Sequence, residues 1–258
     1  MPEGDTIHFL AGRIRAVLEG RVPEAVLTPQ PRHRFDGWPE RLAGRRLSAV
    51  DSHGKHLFLR FAGGLTLHSH LRMTGSWDVY REGQRWRRSR GRAWLVMRCG
   101  GSEVVQFDGP VLELMSDARA RSQPALRALG QDVLADRFDE HEFLARLRRD
   151  DPRRPIGDAL LDQRTLAGIG NLWKAECCFA VEVSPWRAVA RVSDEEALAL
   201  VSFARERMTQ SARDGFEARP RAVYRRAGEP CPRCGAPIRQ RGQWEDNRLT
   251  FWCERCQR

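Results

Sequence analysis

Apolar residues recur every three or four positions near the start of the chain, from Ile7 to Leu18. This spacing is typical of an amphipathic helix that buries one face. Asp5 or Thr6 can cap its beginning, and Gly20 can end it. The first element is therefore predicted to be a helix.

A period of two characterises the segments that follow. Apolar residues alternate over 57–61 and 65–71 on either side of a Gly-Gly pair, which predicts a β-hairpin. The same pattern returns over 94–99 and 103–107 around a second Gly-Gly pair, and 111–115 adds a further strand. Up to about residue 120, the pattern predicts a leading helix followed by antiparallel sheets.

The pattern is helical from there to about Gly215. Its clearest signal is Ser193 followed by Glu196, a capping box that begins a helix running on to Gly215. A small separate module follows Arg219. We therefore predict an α+β multidomain protein divided into residues 1–120, 121–218 and 219–258.

Charge changes this picture by suggesting a partner. The 258 residues include 44 Lys and Arg against 34 Asp and Glu, a formal net charge of +10. A polyanion, nucleic acid above all, is the expected partner. No apolar stretch approaches the ~18 residues of a membrane span, and the first residues lack the features of a signal peptide. We expect a soluble cytoplasmic protein with no membrane partner.

Four of the seven cysteines form two close pairs near the end of the chain, Cys231-x2-Cys234 and Cys253-x2-Cys256. This spacing predicts one four-cysteine zinc site, which is closed and therefore structural. Such a zinc would fold a short hairpin with residues 245–247 at its turn. Arg248, just beyond that turn, suits a phosphate contact.

Two weaker signals point to chemistry. Glycines in 166–171 precede a helical run, where backbone amides and Asn171 can approach a phosphate, although a plain tight connection is the commoner meaning. Pro2 would become a secondary amine once Met1 is removed, and Glu3 lies beside it. An α-amine has a pKa near ~8, so a modest lowering of that pKa makes it a nucleophile at neutral pH without a dedicated base. Alone, Pro2 indicates only N-terminal processing.

These signals occur together in one order: Pro2-Glu3-Gly4, Gly54-Lys55 on a strand, His70-Leu71-Arg72-Met73, Gln163 with 168–171, and the cysteine module. In that order they resemble the formamidopyrimidine-DNA glycosylase and endonuclease VIII family over essentially the whole chain, especially its actinobacterial endonuclease VIII-like members. The resemblance implies an N-terminal antiparallel β-sandwich with a leading helix, a helix-two-turn-helix domain and a β-hairpin zinc finger.

The resemblance also implies a bifunctional DNA glycosylase and abasic-site lyase of base excision repair. Pro2 would attack C1′ of a damaged nucleotide, displace the base and form a Schiff base, with β,δ-elimination after it. Glu3 would transfer protons and Lys55 would contact the phosphate. The implied catalytic residues are Pro2, Glu3, Lys55 and Arg248. The implied DNA-binding residues are Met73 as a wedge, Gln163, Gly170, Asn171 and Arg248.

Lesion preference rests on residues 107–111, which lack the Arg and Phe pair of purine-selective relatives. We therefore expect oxidised pyrimidines as substrates. The alternatives are a purine-selective glycosylase or a non-catalytic zinc protein that binds damaged DNA. Arg72, Gln131 and Arg225 depart from residues common in relatives. The implied partner is damaged DNA, bound by a monomer associated with the nucleoid.

His68 and His70 lie at strand spacing, but no third metal ligand is evident beside them, which favours ordinary sheet histidines. Adjacent Cys177 and Cys178 are expected to pack inside a helix.

Overall fold

The structure is a computed structural model that describes residues 2–149, 151–216, 219–243 and 247–258. The chain divides into two compact units. The first contains Pro2 and residues 6–127, and the second contains residues 3–5 and 128–258.

Two four-stranded antiparallel sheets form the first unit. In the order of their strands, one sheet contains β1 (Ala25–Leu27), β6 (Ala93–Cys99), β7 (Ser102–Phe107) and β5 (Ser76–Arg81). The other contains β2 (Leu47–His53), β3 (His56–Phe61), β4 (Leu65–His70) and β8 (Val111–Ser116). The helices of this part of the chain are α1 (Gly4–Leu18), α2 (Pro31–Arg34), α3 (Trp38–Leu42), α4 (Asp117–Ser122) and α5 (Pro124–Arg127).

One hydrophobic core joins both sheets with α1. It includes Ile14 from the helix, Leu59 from one sheet and Met97 from the other, each fully buried. Side chains alternate across each strand, so each sheet turns one apolar face inward. The predicted β-sandwich with a leading helix is confirmed, and both predicted hairpins are present as β3–β4 and β6–β7.

Helices build the larger part of the second unit: α6 (Glu140–Arg149), α7 (Ile156–Leu161), α8 (Asn171–Ala180) and α9 (Asp194–Asp214). The predicted capping box is present, because the Ser193 hydroxyl accepts from the Glu196 amide while Glu196 accepts from the Ser193 amide. Cys177 and Cys178 are fully buried in the core of these helices.

A two-stranded hairpin, β9 (Arg239–Gln243) and β10 (Arg248–Trp252), completes the second unit. Trp244 and most of the turn predicted at 245–247 lie outside the described residues. Across the described ranges, no helix combines the length and hydrophobicity that crossing a membrane requires.

Two local predictions were wrong. The first helix begins at Gly4, so Asp5 lies inside it, and the Asp5 side chain pairs with Arg219 instead of capping the helix. Lys55 is not on a strand, because Gly54 and Lys55 form the tight turn between β2 and β3. Gly54 has a φ of 55°, which a tight hairpin turn requires and glycine adopts without strain.

Candidate catalytic and nucleic-acid-binding site

The Glu3 carboxylate is buried at the N-terminus of α8. Its Oε2 accepts from the backbone N–H groups of Gly170 at 2.9 Å and Trp173 at 3.3 Å, and its Oε1 accepts from that of Leu172 at 2.9 Å. The first amides of a helix have no partner within the helix, and the helix dipole is positive there. The amides that the sequence suggested for a phosphate are thus occupied by a carboxylate of the same chain.

Gly170 leaves the space that Glu3 fills. A Cβ built at Gly170 would lie 2.3 Å from Cδ of Glu3 and 2.6 Å from its Oε1. The backbone of Gly170 has a φ of −121°, which any residue adopts, so the requirement for glycine is steric. Gly170 therefore positions a carboxylate in this structure, and its predicted role in DNA binding stays a prediction.

Further contacts fix residues 3–5. The Gly4 amide donates to the Gly168 carbonyl at 2.9 Å. Asp5 is fully buried and accepts from Arg219 and from the Ser211 hydroxyl, the latter at 2.6 Å. A buried carboxylate needs such partners, because desolvation would otherwise destabilise its charge. The segment that follows Pro2 is therefore held rigidly.

Gln163 closes the turn that leads to α8. Its Nε2 donates to the carbonyls of Leu161 and Ile169, and its Oε1 accepts from the Gly168 amide at 3.0 Å. The side chain thus shapes the Gly-rich turn internally, while its contact with DNA stays a prediction.

Lys55 lies beside a group of histidines on one face of the sheet that contains β3 and β4. His56 Nδ1 and His68 Nε2 are 2.8 Å apart, and the rings of His56 and His70 are in edge contact. Burial, followed by the charges of Arg72 and Lys55, lowers the pKa of His70 to about 4. The His70 imidazole is therefore neutral at physiological pH, and the positive charge beside it comes from Lys55 and Arg72.

Met73 has an unusual environment for an apolar residue. It lies in the loop between β4 and β5 with 68% of its surface exposed. Arg72 before it has a φ of 48°, in the left-handed region, and its amide donates to His70 Nδ1. A side chain exposed to this extent does not belong to the sheet core, and the role of Met73 as a wedge stays a prediction.

The zinc-finger hairpin is joined to α8. Nδ2 of Asn171 donates to the Leu249 carbonyl at 2.8 Å, next to Arg248 on β10. In this structure, the Asn171 side chain thus positions the strand that carries Arg248. Both residues remain predicted phosphate contacts.

Lys174 was missed by sequence reasoning. It is fully buried on α8, and its Nζ donates to Thr250 Oγ1 at 2.6 Å and Gln243 Oε1 at 3.2 Å. Burial lowers the pKa of Lys174 to about 8, and the nearby charge of Arg248 contributes in the same direction. The only sequence signal was a lysine among apolar residues in Leu172-Trp173-Lys174-Ala175, on the face that the helix buries.

The four predicted cysteine ligands come together in one cluster. Their sulfur atoms all lie within 4.8 Å of one another. Cys231 and Cys256 sulfurs are 3.8 Å apart, and those of Cys234 and Cys253 are 3.5 Å apart. Tetrahedral thiolate coordination with Zn–S bonds of ~2.3 Å places sulfurs ~3.8 Å apart, so the cluster fits one zinc ion. Among the described residues, no other group of three or more ligands has metal-site spacing.

Comparison with known families places these features in one context. Residues 1–110 match the formamidopyrimidine-DNA glycosylase N-terminal domain, 129–219 match the formamidopyrimidine-DNA glycosylase H2TH domain, and 228–258 match the zinc finger found in FPG and IleRS. The chain belongs to the formamidopyrimidine-DNA glycosylase and endonuclease 8 family. The predicted family, its helix-two-turn-helix domain and its zinc finger are confirmed.

Relatives within the family agree with this assignment. The chain is 39% identical to "Probable endonuclease 8 2" of Streptomyces coelicolor, covering all of this chain and 94% of the relative. It is 34% identical to "DNA-(apurinic or apyrimidinic site) lyase Nei2" of Mycolicibacterium smegmatis, covering 100% and 99%. Its fold matches the Fpg of Lactococcus lactis, solved with DNA containing N7-benzyl-Fapy-dG, with a TM-score of 0.84 over 100% of both chains at 22% identity.

Proposed function

We propose that this protein is a DNA glycosylase and abasic-site lyase of base excision repair whose nucleophile is the secondary amine of Pro2. The observation that carries the proposal is the buried Glu3 carboxylate, fixed by three backbone amides directly after Pro2. Schiff-base chemistry at a sugar requires an amine and a group that transfers protons, and Glu3, the residue next to Pro2 in the sequence, offers a carboxylate in a defined position.

The proposed reaction begins when the Pro2 nitrogen attacks C1′ of the damaged nucleotide. The bond from C1′ to the base breaks, and the base leaves with the electron pair and takes up a proton. Opening of the sugar ring, with Glu3 protonating the ring oxygen, gives an iminium ion at C1′. Loss of a C2′ proton then expels the 3′ phosphate, and a second elimination expels the 5′ phosphate.

DNA would be held through its phosphates and through the gap left by the flipped nucleotide. We assign phosphate contacts to Lys55, Asn171 and Arg248, and the wedge that fills the gap to Met73. Asn171 and Arg248 belong to elements that are joined through the Leu249 carbonyl, so the two contacts would move together.

We further propose that oxidised pyrimidines are the preferred lesions. The loop after β7 contains Asp108, Gly109 and Pro110, and the Asp108 carboxylate accepts from Arg88 and Arg92. This loop therefore contains neither of the Arg and Phe side chains that purine-selective relatives are expected to use there, and its one carboxylate is engaged with two arginines. Several relatives carry the name endonuclease 8, in keeping with this preference.

We assign a separate role to each of the three parts of the chain. Residues 1–120 would carry the amine and the wedge, 121–218 would bind phosphates, and 219–258 would hold Arg248 on a zinc-stiffened hairpin. We propose that the protein acts as a monomer on nucleoid DNA in the cytoplasm, which suits its net charge of +10. Sedimentation of the protein with and without a short duplex tests the monomer.

The activity is tested with duplexes that contain dihydrouracil, thymine glycol, 8-oxoguanine or an abasic site. Wild-type protein with Met1 removed should excise the two pyrimidines faster than 8-oxoguanine and cleave all abasic products. Pro2→Gly should slow excision severely and leave DNA binding close to wild type. Tight binding without excision of any lesion would instead identify a non-catalytic damage-binding protein, and faster excision of 8-oxoguanine would identify a purine-selective enzyme.

A further inference from the structure

Three loops of the β-sandwich are joined by side-chain hydrogen bonds next to Met73. The Met73 loop is residues 71–75, the Arg88 loop is residues 82–92, and the Asp108 loop is residues 108–110. They connect β4 to β5, β5 to β6 and β7 to β8, respectively.

Arg88 links the other two loops. A single guanidinium nitrogen, Nη1, donates to the Thr74 carbonyl at 3.0 Å and to Asp108 Oδ2 at 2.8 Å. The Thr74 hydroxyl also donates to the Asp108 carbonyl at 3.2 Å. The residue that follows Met73 is therefore tied to the Asp108 loop both directly and through Arg88.

Asp108 is held in place by further hydrogen bonds to Arg92. Its carboxylate also accepts from Arg92 at 2.7 Å, and its own amide donates to the Arg92 carbonyl at 3.2 Å. Its φ of 47° is in the left-handed region, which residues other than glycine rarely adopt without support from their surroundings. The two arginines supply that support through charge-assisted hydrogen bonds.

The Met73 and Asp108 loops also touch through their backbones. A Cβ built at Gly75 would lie 2.9 Å from the Leu71 carbonyl oxygen and 3.1 Å from Cα of Gly109. The Gly75 amide donates to that same carbonyl at 2.9 Å. The close approach leaves little room for the Met73 loop to move toward the Asp108 loop.

The Arg88 loop is itself anchored in a small aromatic cluster. Trp86 donates from its indole nitrogen to Glu103 at 2.8 Å and packs edge-on against Phe107. The Arg87 amide donates to the Tyr80 hydroxyl at 3.1 Å. Arg88 is thus presented from a fixed segment, which differs from the solvated loop that an arginine-rich sequence usually forms.

This arrangement explains how an apolar side chain can be held out in solvent. A wedge can unstack a base pair, which costs a few kcal/mol, only if its own backbone keeps its position during insertion. We propose that Arg88 is a positioning residue that, through Thr74 and Asp108, holds Met73 in place for insertion into the base stack. This inference rests on the proposed function, because the wedge matters only for a protein that flips a nucleotide.

The first test needs no enzymatic activity. Hydrogen exchange of the Gly75 amide should become about tenfold faster in Arg88→Ala, because the variant loses a charge-assisted link to the loop. Arg90→Ala is the matched control: it removes the same charge from the same loop, but the Arg90 guanidinium lies over Trp86 instead of bridging loops. Exchange that is unchanged in Arg88→Ala, or equally faster in both variants, would overturn the proposal.

The second test measures single-turnover rates. Arg88→Ala should slow excision of dihydrouracil from a duplex about tenfold, while cleavage of an abasic site in single-stranded DNA should stay within about twofold, because no base pair must be opened. Excision by the double variant with Arg88→Ala and Met73→Ala should be no slower than excision by Met73→Ala alone, because both changes act on the same wedge.

Additive losses would show that Arg88 acts independently of Met73 and would overturn the proposal. A fall of about one unit in the salt dependence of binding to undamaged duplex would show that Arg88 contacts phosphate directly and would also overturn it. A wild-type protein that is inactive on every substrate would refute the proposed function, and the exchange measurement would still decide whether Arg88 holds the loop.

Discussion

Gly170→Ala is the substitution that tests the Glu3 site without removing any functional group. The new Cβ would lie 2.3 Å from Glu3 Cδ. Non-bonded carbon atoms approach to roughly 3.5 Å, so the carboxylate must move by about 1 Å. The backbone at residue 170 is extended, with a φ of −121°, and accepts alanine without strain.

The magnitude follows from the contacts that are lost. Three backbone amides donate to the carboxylate, and hydrogen bonds to charged groups contribute roughly 1.5–3 kcal/mol each. Water that enters would replace part of these hydrogen bonds, so we expect the Glu3 carboxylate to lose about 2–4 kcal/mol of stabilisation in its present position. For the reaction, a catalytic group misplaced by about 1 Å costs about 10²-fold in rate.

The assay is single-turnover excision of dihydrouracil from a duplex, paired with binding to a duplex that contains an uncleavable abasic analogue. Excision should fall about 10²-fold while affinity changes little, because the side chains assigned to phosphate, those of Lys55, Asn171 and Arg248, are unchanged. Gly12→Ala is the control, since a Cβ at that exposed position of α1 meets nothing within 4 Å. Wild-type excision by Gly170→Ala would refute the proposed role of the Glu3 site.

The remaining predictions concern DNA binding and the Lys174 network. Arg248→Ala should weaken binding to duplexes of every sequence and lower the salt slope by about one unit, measured by anisotropy titrations; an unchanged slope would remove Arg248 from the phosphate contacts. Chelation of zinc should abolish DNA binding while the unit that contains residues 6–127 keeps its melting transition, and retained binding would contradict the role of the finger. Burial lowers the pKa of Lys174 from 10.5 to about 8, so the unfolded chain binds more protons across that window and stability should rise with pH from about 8 to 10.5. Urea unfolding of Lys174→Met should lack this rise of up to about 3 kcal/mol, and an equal rise in both proteins would exclude Lys174 as its source.

Elements with a strong local signature were predictable from the sequence. The helix from Asp194 to Asp214 has a capping box at its start and Gly215 at its end, and both signals are contained in neighbouring residues. The hairpins around the Gly-Gly pairs are similar cases, because alternation and turn chemistry are local properties. The cysteine spacing likewise indicated the metal cluster.

Short elements and long-range partners were not predictable in this way. β1 contains only Ala25 to Leu27, which is too short for a period to appear. Asp5 looked like a helix cap because its partner Arg219 is remote in sequence, and the amides around Glu3 are equally remote. The role of Lys174 was not predictable because Thr250, which accepts from its Nζ, is remote in sequence. Buried charges depend on tertiary contacts, which a local pattern does not contain.

Borohydride trapping tests whether the amine of Pro2 is the nucleophile, because it reduces the Schiff base to a stable bond. Protein with Met1 removed, confirmed by mass, is incubated with a duplex containing dihydrouracil or an abasic site, reduced, digested and sequenced by mass spectrometry. We expect one covalent adduct on the Pro2 nitrogen, strongly reduced in Pro2→Gly. An adduct on Lys55, or no adduct with either substrate, would contradict it.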